Sequence, residues 1–214
     1  MPADRADLGA RLAAATAADT SRGLNYASVL ALVREQFGED AARQCDPLGK
    51  GSRIDFFKYP IGEYLALAWN AVDRLESVSG GVEAAFEALG RRTIEDHLAS
   101  VLGRTLYAIA GRDPRRMVTN VPSGYRATVS YGERTVEWLG ERHARLVFRR
   151  DFMPPAFHVG VVRAGIAGMG ARNPRVTGRQ VGFLDAEFEV RWEGEGPGSR
   201  TSAGSGREGS PPAG

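Results

Sequence analysis

The chain has 214 residues, a formal net charge of +2 and 43% hydrophobic side chains. That is room for one ordinary domain with tails, apolar enough for a real core and too weakly charged to argue for a nucleic-acid partner. A single cysteine, Cys45, excludes an internal disulfide and a cysteine-rich zinc site, and fits a reduced, cytoplasmic compartment.

The Ala-rich start favours a helix over residues 4–18, yet its apolar stripe is weak and its Asp4, Asp7 and Asp19 do not suit a secretory signal. Residues 1–22 therefore read as a weakly docked N-terminal segment, ahead of a single domain over 23–193. Tyr26, Val29, Leu30, Val33 and Phe37 recur at helical spacing and predict a helix from Asn25 to Arg43. Pro47, Gly49, Gly51 and Pro60 mark a loop over 45–60. Ile61, Tyr64, Leu65, Ala68, Val72 and Leu75 put one apolar face on a helix from Ile61 to Ser77, which Gly80 and Gly81 end. The longest helical stretch runs from Val82 to Ala110, with Gly90 and Gly103 as points of bending and Gly111 as a stop.

The pattern then changes. YRATVSYGERTVEWLGERHARLVFRR alternates polar and apolar residues, punctuated at Gly132 and Gly140, and predicts a three-stranded meander. Pro154 and Pro155 open a late helix from Ala156 to Met169, along which Gly160, Ala164 and Gly168 make a strip that permits close backbone approach. Its surroundings, Ala156 to Ala171, are the most apolar stretch, but they are too short to span a bilayer and contain His158 and Arg163. Strand-like runs follow at Arg175–Val181 and Phe183–Trp192. From Gly194 to Gly214 no large apolar side chain occurs, which predicts a disordered tail. Helices, meander, helix and hairpin in that order predict an α+β domain, a helical layer packed on an antiparallel sheet.

No chemical motif emerges. His97, His143 and His158 show no paired spacing that would build a metal site, and the glycines form no phosphate loop. His97 and Arg104 share an edge of the long helix, where they either meet an anionic ligand group or border the core in water. Arg112, Arg115 and Arg116 suit a helix C-terminus. Trp69, Trp138 and Trp192 read as core or interface residues.

Tyr59-Pro60, Gly90-Arg91, Gly103-Arg104, the glycines of the late helix and Trp192 together resemble a domain-of-unknown-function family that occurs as many paralogues in myxobacteria. The likeness covers about residues 24–193. More distantly, the element order is similar to the superfamily of haem-NO-binding domains, 4-vinyl reductase domains and small Golgi tethering-particle subunits. That resemblance implies a ligand between helical layer and sheet, and dimers. Haem-binding members carry a proximal histidine near the end of the long helix, where LYAIAGRDPRRM has none. Their Tyr-x-Ser-x-Arg motif falls near Phe148, Arg149 and Arg150, where this chain reads VFRRDF. The expectation is a non-catalytic sensory or adaptor domain without a cofactor, holding a small, mostly apolar ligand near His97, Arg104, Phe148, Arg150 and His158. The alternative is a ligand-free homodimeric interaction module. An enzyme is the remaining reading.

Overall fold

The computed structural model describes residues 5–46, 48, 49, 53–100, 103, 104, 111 and 113–195. Five helices come first: α1 (Arg5–Ala14), α2 (Gly23–Phe37), α3 (Glu39–Cys45), α4 (Ile61–Ser79) and α5 (Val82–Ala99). Two short strands, β1 (Thr20–Arg22) and β2 (Lys58–Pro60), pair antiparallel beside them. Two short helices follow, α6 (Pro114–Thr119) and α7 (Val121–Thr128). The main sheet is built from β3 (Glu133–Gly140), β4 (His143–Arg149), β5 (Ala171–Gly182) and β6 (Asp185–Glu195). It is antiparallel throughout, in the order β3-β4-β6-β5, and α8 (Pro155–Gly168) lies between β4 and β5 in the chain. The α+β class, with helices against an antiparallel sheet, is the observed architecture.

Three boundaries differ from the periodicity reading. The helix expected over Asn25–Arg43 is two helices, because Gly38 adopts φ 86 and turns the chain between α2 and α3. The first strand of the expected meander is instead α7; Pro122 in its first turn presets helical φ, and the alternation of Tyr125 to Ser130 is overridden. The meander is therefore a two-stranded hairpin, with β6 as the third neighbour. The long helix closes at Ala99, where Ser100 turns extended and its hydroxyl donates to the His97 carbonyl at 2.7 Å. Its expected extension over 101, 102 and 105–110 lies outside the described residues, as do Arg112 and residues 196–214 of the expected tail. Gly194 and Glu195 end β6.

Alternation sets the faces of the sheet. Ala144, Leu146 and Phe148 of β4 and Ala186, Phe188, Val190 and Trp192 of β6 point inward and are buried. The outer face is charged, with ion pairs between Arg145 and Glu137, Arg179 and Glu187, and Arg149 and Asp185. The α8 helix is buried on two sides. Its Val159, Val162 and Ile166 join the sheet's core, and its Phe157 and Val161 join the core of the helical half. A helix shared by two cores reads apolar all round, as this one does.

The contact that lets α8 sit there is made by backbone. A Cβ on Gly160 would stand 2.1 Å from the Glu87 carbonyl oxygen, and one on Gly90 would stand 1.9 Å from that of Phe157. These glycines thus face each other's helix, and α5 and α8 cross without side chains between them. Behind α8, Gly178 of β5 makes room for the Phe188 ring, which would lie 2.8 Å from its Cβ.

The N-terminal segment is anchored through α1. Arg11 is 2% exposed, and its guanidinium donates to the Phe152 carbonyl at 3.2 Å. No helix among the described residues is long and apolar enough to cross a membrane.

Gly160→Ala is expected to cost about 1–3 kcal/mol by forcing α5 and α8 apart, read from urea unfolding midpoints. Gly9 of α1 has nothing within 4 Å of its Cβ position. Gly9→Ala should therefore stabilise by about 0.5–1 kcal/mol in the same assay.

Candidate functional site

At the seam between the two cores lies a cluster of buried polar side chains. Arg150 takes φ 50 just after β4, and the turn delivers Asp151 to the interior. Its N–H donates to the Leu184 carbonyl in the β5–β6 turn at 2.7 Å. The Asp151 Oδ1 accepts from His158 Nε2 at 2.9 Å and from the Met153 N–H at 3.0 Å. Its Oδ2 accepts from Arg134 Nη2, and Arg134 Nη1 donates to the Tyr131 carbonyl. The chain ends at Tyr125, whose hydroxyl lies 2.7 Å from His158 Nδ1. An ionised carboxylate only accepts, so His158 donates from Nε2, and Nδ1 is left as acceptor for the Tyr125 hydroxyl in that tautomer.

Each member is positioned by a different element: Tyr125 by α7, Arg134 by β3, Asp151 by the turn after β4 and His158 by the first turns of α8. The side chains of Arg134, Asp151 and His158 are 2–3% exposed. Aromatic rings complete the wall. Phe148, Phe157 and Phe188 centre 5.0, 5.4 and 5.8 Å from the His158 ring, and the Arg134 guanidinium lies 4.8 Å over Tyr125. Burial pushes the Asp151 carboxyl up, but His158 and the Arg134 guanidinium beside it outweigh burial and hold the group well below the usual carboxylate range. Burial drives the Tyr125 and Tyr131 hydroxyls well above the usual tyrosine range.

A tyrosine, histidine and aspartate in series have the form of a proton relay. Chemistry would require a reacting atom to reach one end. Both nitrogens of His158 are engaged, Tyr125 is held in its neutral form, and neither surface groove described below is lined by any of the four. The arrangement is suited to holding a buried charge and the elements around it.

Of the five residues expected to contact a ligand, two meet here. Phe148 and His158 pack ring against ring at the seam. Arg150 lies at the surface end of the same turn, paired through both terminal nitrogens with Asp19 at 2.6 and 2.8 Å. His97 lies on α5 with Nδ1 2.7 Å from the Thr93 carbonyl, so Nδ1 carries the proton and Nε2 is a buried acceptor with no partner among the described residues. Burial lowers the pKa of His97. Arg104 is exposed. Sequence reasoning missed Tyr125, Arg134 and Asp151. The available signal was Asp151 itself, an acidic residue set between Arg150 and the apolar run Phe152-Met153-Pro154-Pro155.

Two open grooves mark the surface. One, of about 750 Å³, is lined by Asp113, Arg115, Trp138, Arg142 and Trp192. Its aromatic wall is covered by the chain's own Arg115, 3.8 Å over the Trp138 ring and bonded to the Glu141 carbonyl at 2.7 Å. The other, of about 730 Å³, runs along α5 and α8 between Val78, Glu87, Arg91, Arg163 and Ala164. No group of three or more histidine, cysteine, aspartate or glutamate side chains that could hold a metal occurs among the described residues.

A family model described as a protein of unknown function, DUF2378, matches residues 14–193. No curated protein matches the sequence. The fold is similar to that of the Fe(II) unliganded H-NOX protein from K. algicida, with TM-score 0.65, 13% identity and coverage of 81% of this chain and 97% of that one. It is also similar to the H-NOX protein from S. oneidensis in its Fe(II)NO ligation state, with TM-score 0.62, 10% identity and coverage of 81% and 99%. A point mutant of T. tengcongensis H-NOX gives TM-score 0.60, 9% identity and coverage of 81% and 98%.

Asp151→Ala leaves the Arg134 guanidinium buried without its carboxylate and is expected to cost about 3–5 kcal/mol in urea unfolding. Tyr125→Phe, which strands only His158 Nδ1, should cost about 1–3 kcal/mol. A separate pH dependence is expected from Asp19, whose bond to Arg150 draws its carboxyl down to about 2. Its lowered folded pKa contributes stability above the unfolded value, and that stability is lost as pH falls from about 4 towards 2. Asp19→Asn should flatten the acid limb of the unfolding midpoint.

Proposed function

Since the chain belongs to the DUF2378 family of proteins of unknown function and adopts the fold of the H-NOX structures, we propose that it is a non-catalytic sensory or adaptor domain. The observation that carries this reading is the Tyr125–His158–Asp151–Arg134 chain, in which Arg134, Asp151 and His158 are buried against one another. The buried histidine and carboxylate that meet in the fold are spent on each other, out of reach of a substrate.

Haem is the group that this fold family implies, and the described side chains do not fit one between helices and sheet. A histidine axial ligand needs a free imidazole nitrogen beside a space of porphyrin size. His158 has no free nitrogen, and Phe148, Phe157 and Phe188 fill the space around its ring. His143 is bonded to Glu189 on the outer face of the sheet. His97 has its free Nε2, yet neither groove includes it.

In its sensory form this domain holds a small, mostly apolar ligand at the seam, where Phe148 and His158 would touch it. The packed rings there support the adaptor form, in which the chain works as a cytoplasmic homodimer. Purified protein titrated with hemin is expected to give no stoichiometric Soret band; a sharp band at one haem per chain would overturn the non-haem reading. Native mass spectrometry is expected to give twice the 23.0 kDa polypeptide mass with nothing bound. A small molecule retained at one per chain would favour the sensory form, and a monomer at micromolar concentration would remove the homodimer.

A further inference from the structure

Arg22 and Lys58 are direct cross-strand partners in the β1–β2 ladder. Like charges in that position repel. Arg22 is also the N-cap of the fifteen-residue α2, whose first turn holds no acidic residue. Both cations therefore stand at the positive end of a helix, where an anion is the favoured neighbour. Neither forms an ion pair among the described residues, and Arg22 Nε is buried with no hydrogen-bond partner.

Directly beside this pair the chain exposes an apolar turn. Phe56 is 69% exposed, Phe57 51% and Ile54 49%. The turn is held in place by backbone. The Gly23 N–H donates to the Phe57 carbonyl at 2.9 Å, the Leu24 N–H to that of Asp55 at 3.1 Å, and the Phe57 N–H to that of Ile54 at 3.0 Å. The Ile54 N–H donates to the Tyr59 hydroxyl at 3.0 Å. Gly23 lacks the Cβ that would otherwise stand 2.2 Å from the Ile54 carbonyl oxygen. Two phenylalanines are thus presented on a fixed support, against the rule that large apolar side chains leave water unless they have a partner. Asp55 is the acidic residue of the turn; it too is exposed.

We propose that this turn docks the protein on an anionic lipid bilayer, with Phe56 and Phe57 entering the interfacial layer and Arg22 and Lys58 meeting lipid phosphates. Charge selects the partner: Arg22, Lys58 and a helix N-terminus form a local positive site that outweighs the single carboxylate of the turn, Asp55. Size selects it too. Three side chains expose on the order of a few hundred Å², well short of the roughly 800 Å² per partner of a stable protein dimer. A shallow insertion of exposed rings into the interfacial layer needs no pocket. The inference is independent of the sensory or adaptor reading.

The test is co-sedimentation of the full chain with vesicles of phosphatidylcholine alone and of phosphatidylcholine containing about 30% phosphatidylserine. Binding is expected to the anionic vesicles only and to weaken as salt is raised. Phe56→Ser with Phe57→Ser should lower the affinity at least about tenfold, since both rings leave the interface. Lys58→Glu, at an exposed position, should lower it severalfold with the far-UV circular dichroism unchanged. No sedimentation with anionic vesicles, or variants that bind as the parent does, would overturn the proposal. So would a double phenylalanine variant that loses self-association in light scattering while vesicle binding persists, since the turn would then belong to a second copy of the chain.

Discussion

The crossing of α5 and α8 is the constraint on which the architecture rests. With no Cβ on Gly90 or Gly160, each backbone lies against the other at distances that any side chain would forbid. That proximity places α8 between the helical core and the sheet core and makes one helix the shared wall of both. Everything buried at the seam, including His158 one turn into α8, takes its position from how closely this helix can approach.

A shared wall has to be fixed in rotation as well as in distance. Apolar packing is non-directional, and α8 is apolar on both faces, so burial alone discriminates weakly between rotations about its axis. The bond from His158 to Asp151 supplies direction. The Asp151 carboxylate is held by Arg134 and the Met153 N–H and ties β3, the turn after β4 and α8 together, while the Asp151 backbone N–H reaches the Leu184 carbonyl in the β5–β6 turn. Buried ionic groups contribute little net stability against an apolar alternative, and their best use is specificity. That accounts for a tyrosine, histidine and aspartate in series with no route to a substrate.

The surface divides along the same lines. The outer face of the main sheet is a lattice of opposite charges that satisfy one another, from Arg145 and Glu137 to Arg179 and Glu187. In the helical half, Arg22 and Lys58 are left without such partners, beside the exposed rings of Phe56 and Phe57.

Sequence by itself determined what depends on neighbours a few residues away. The stripe of α4, the alternation of β4 and β6, and the small-residue strip of α8 were all legible, because helix and strand periods repeat within a single element. The same local view misjudged Tyr125 to Thr128, where alternation and the proline-opened turn of α7 conflict and tertiary packing settles the matter for helix. Tertiary structure alone decided the seam. Arg134 and Asp151 are 17 residues apart and Tyr125 and His158 are 33 apart, separations set by strand lengths, turns and helix crossing. Arg22 and Lys58 likewise become neighbours only through strand pairing. Charges act through space, and the distance between two of them is a property of the folded backbone, which one-dimensional spacing does not encode.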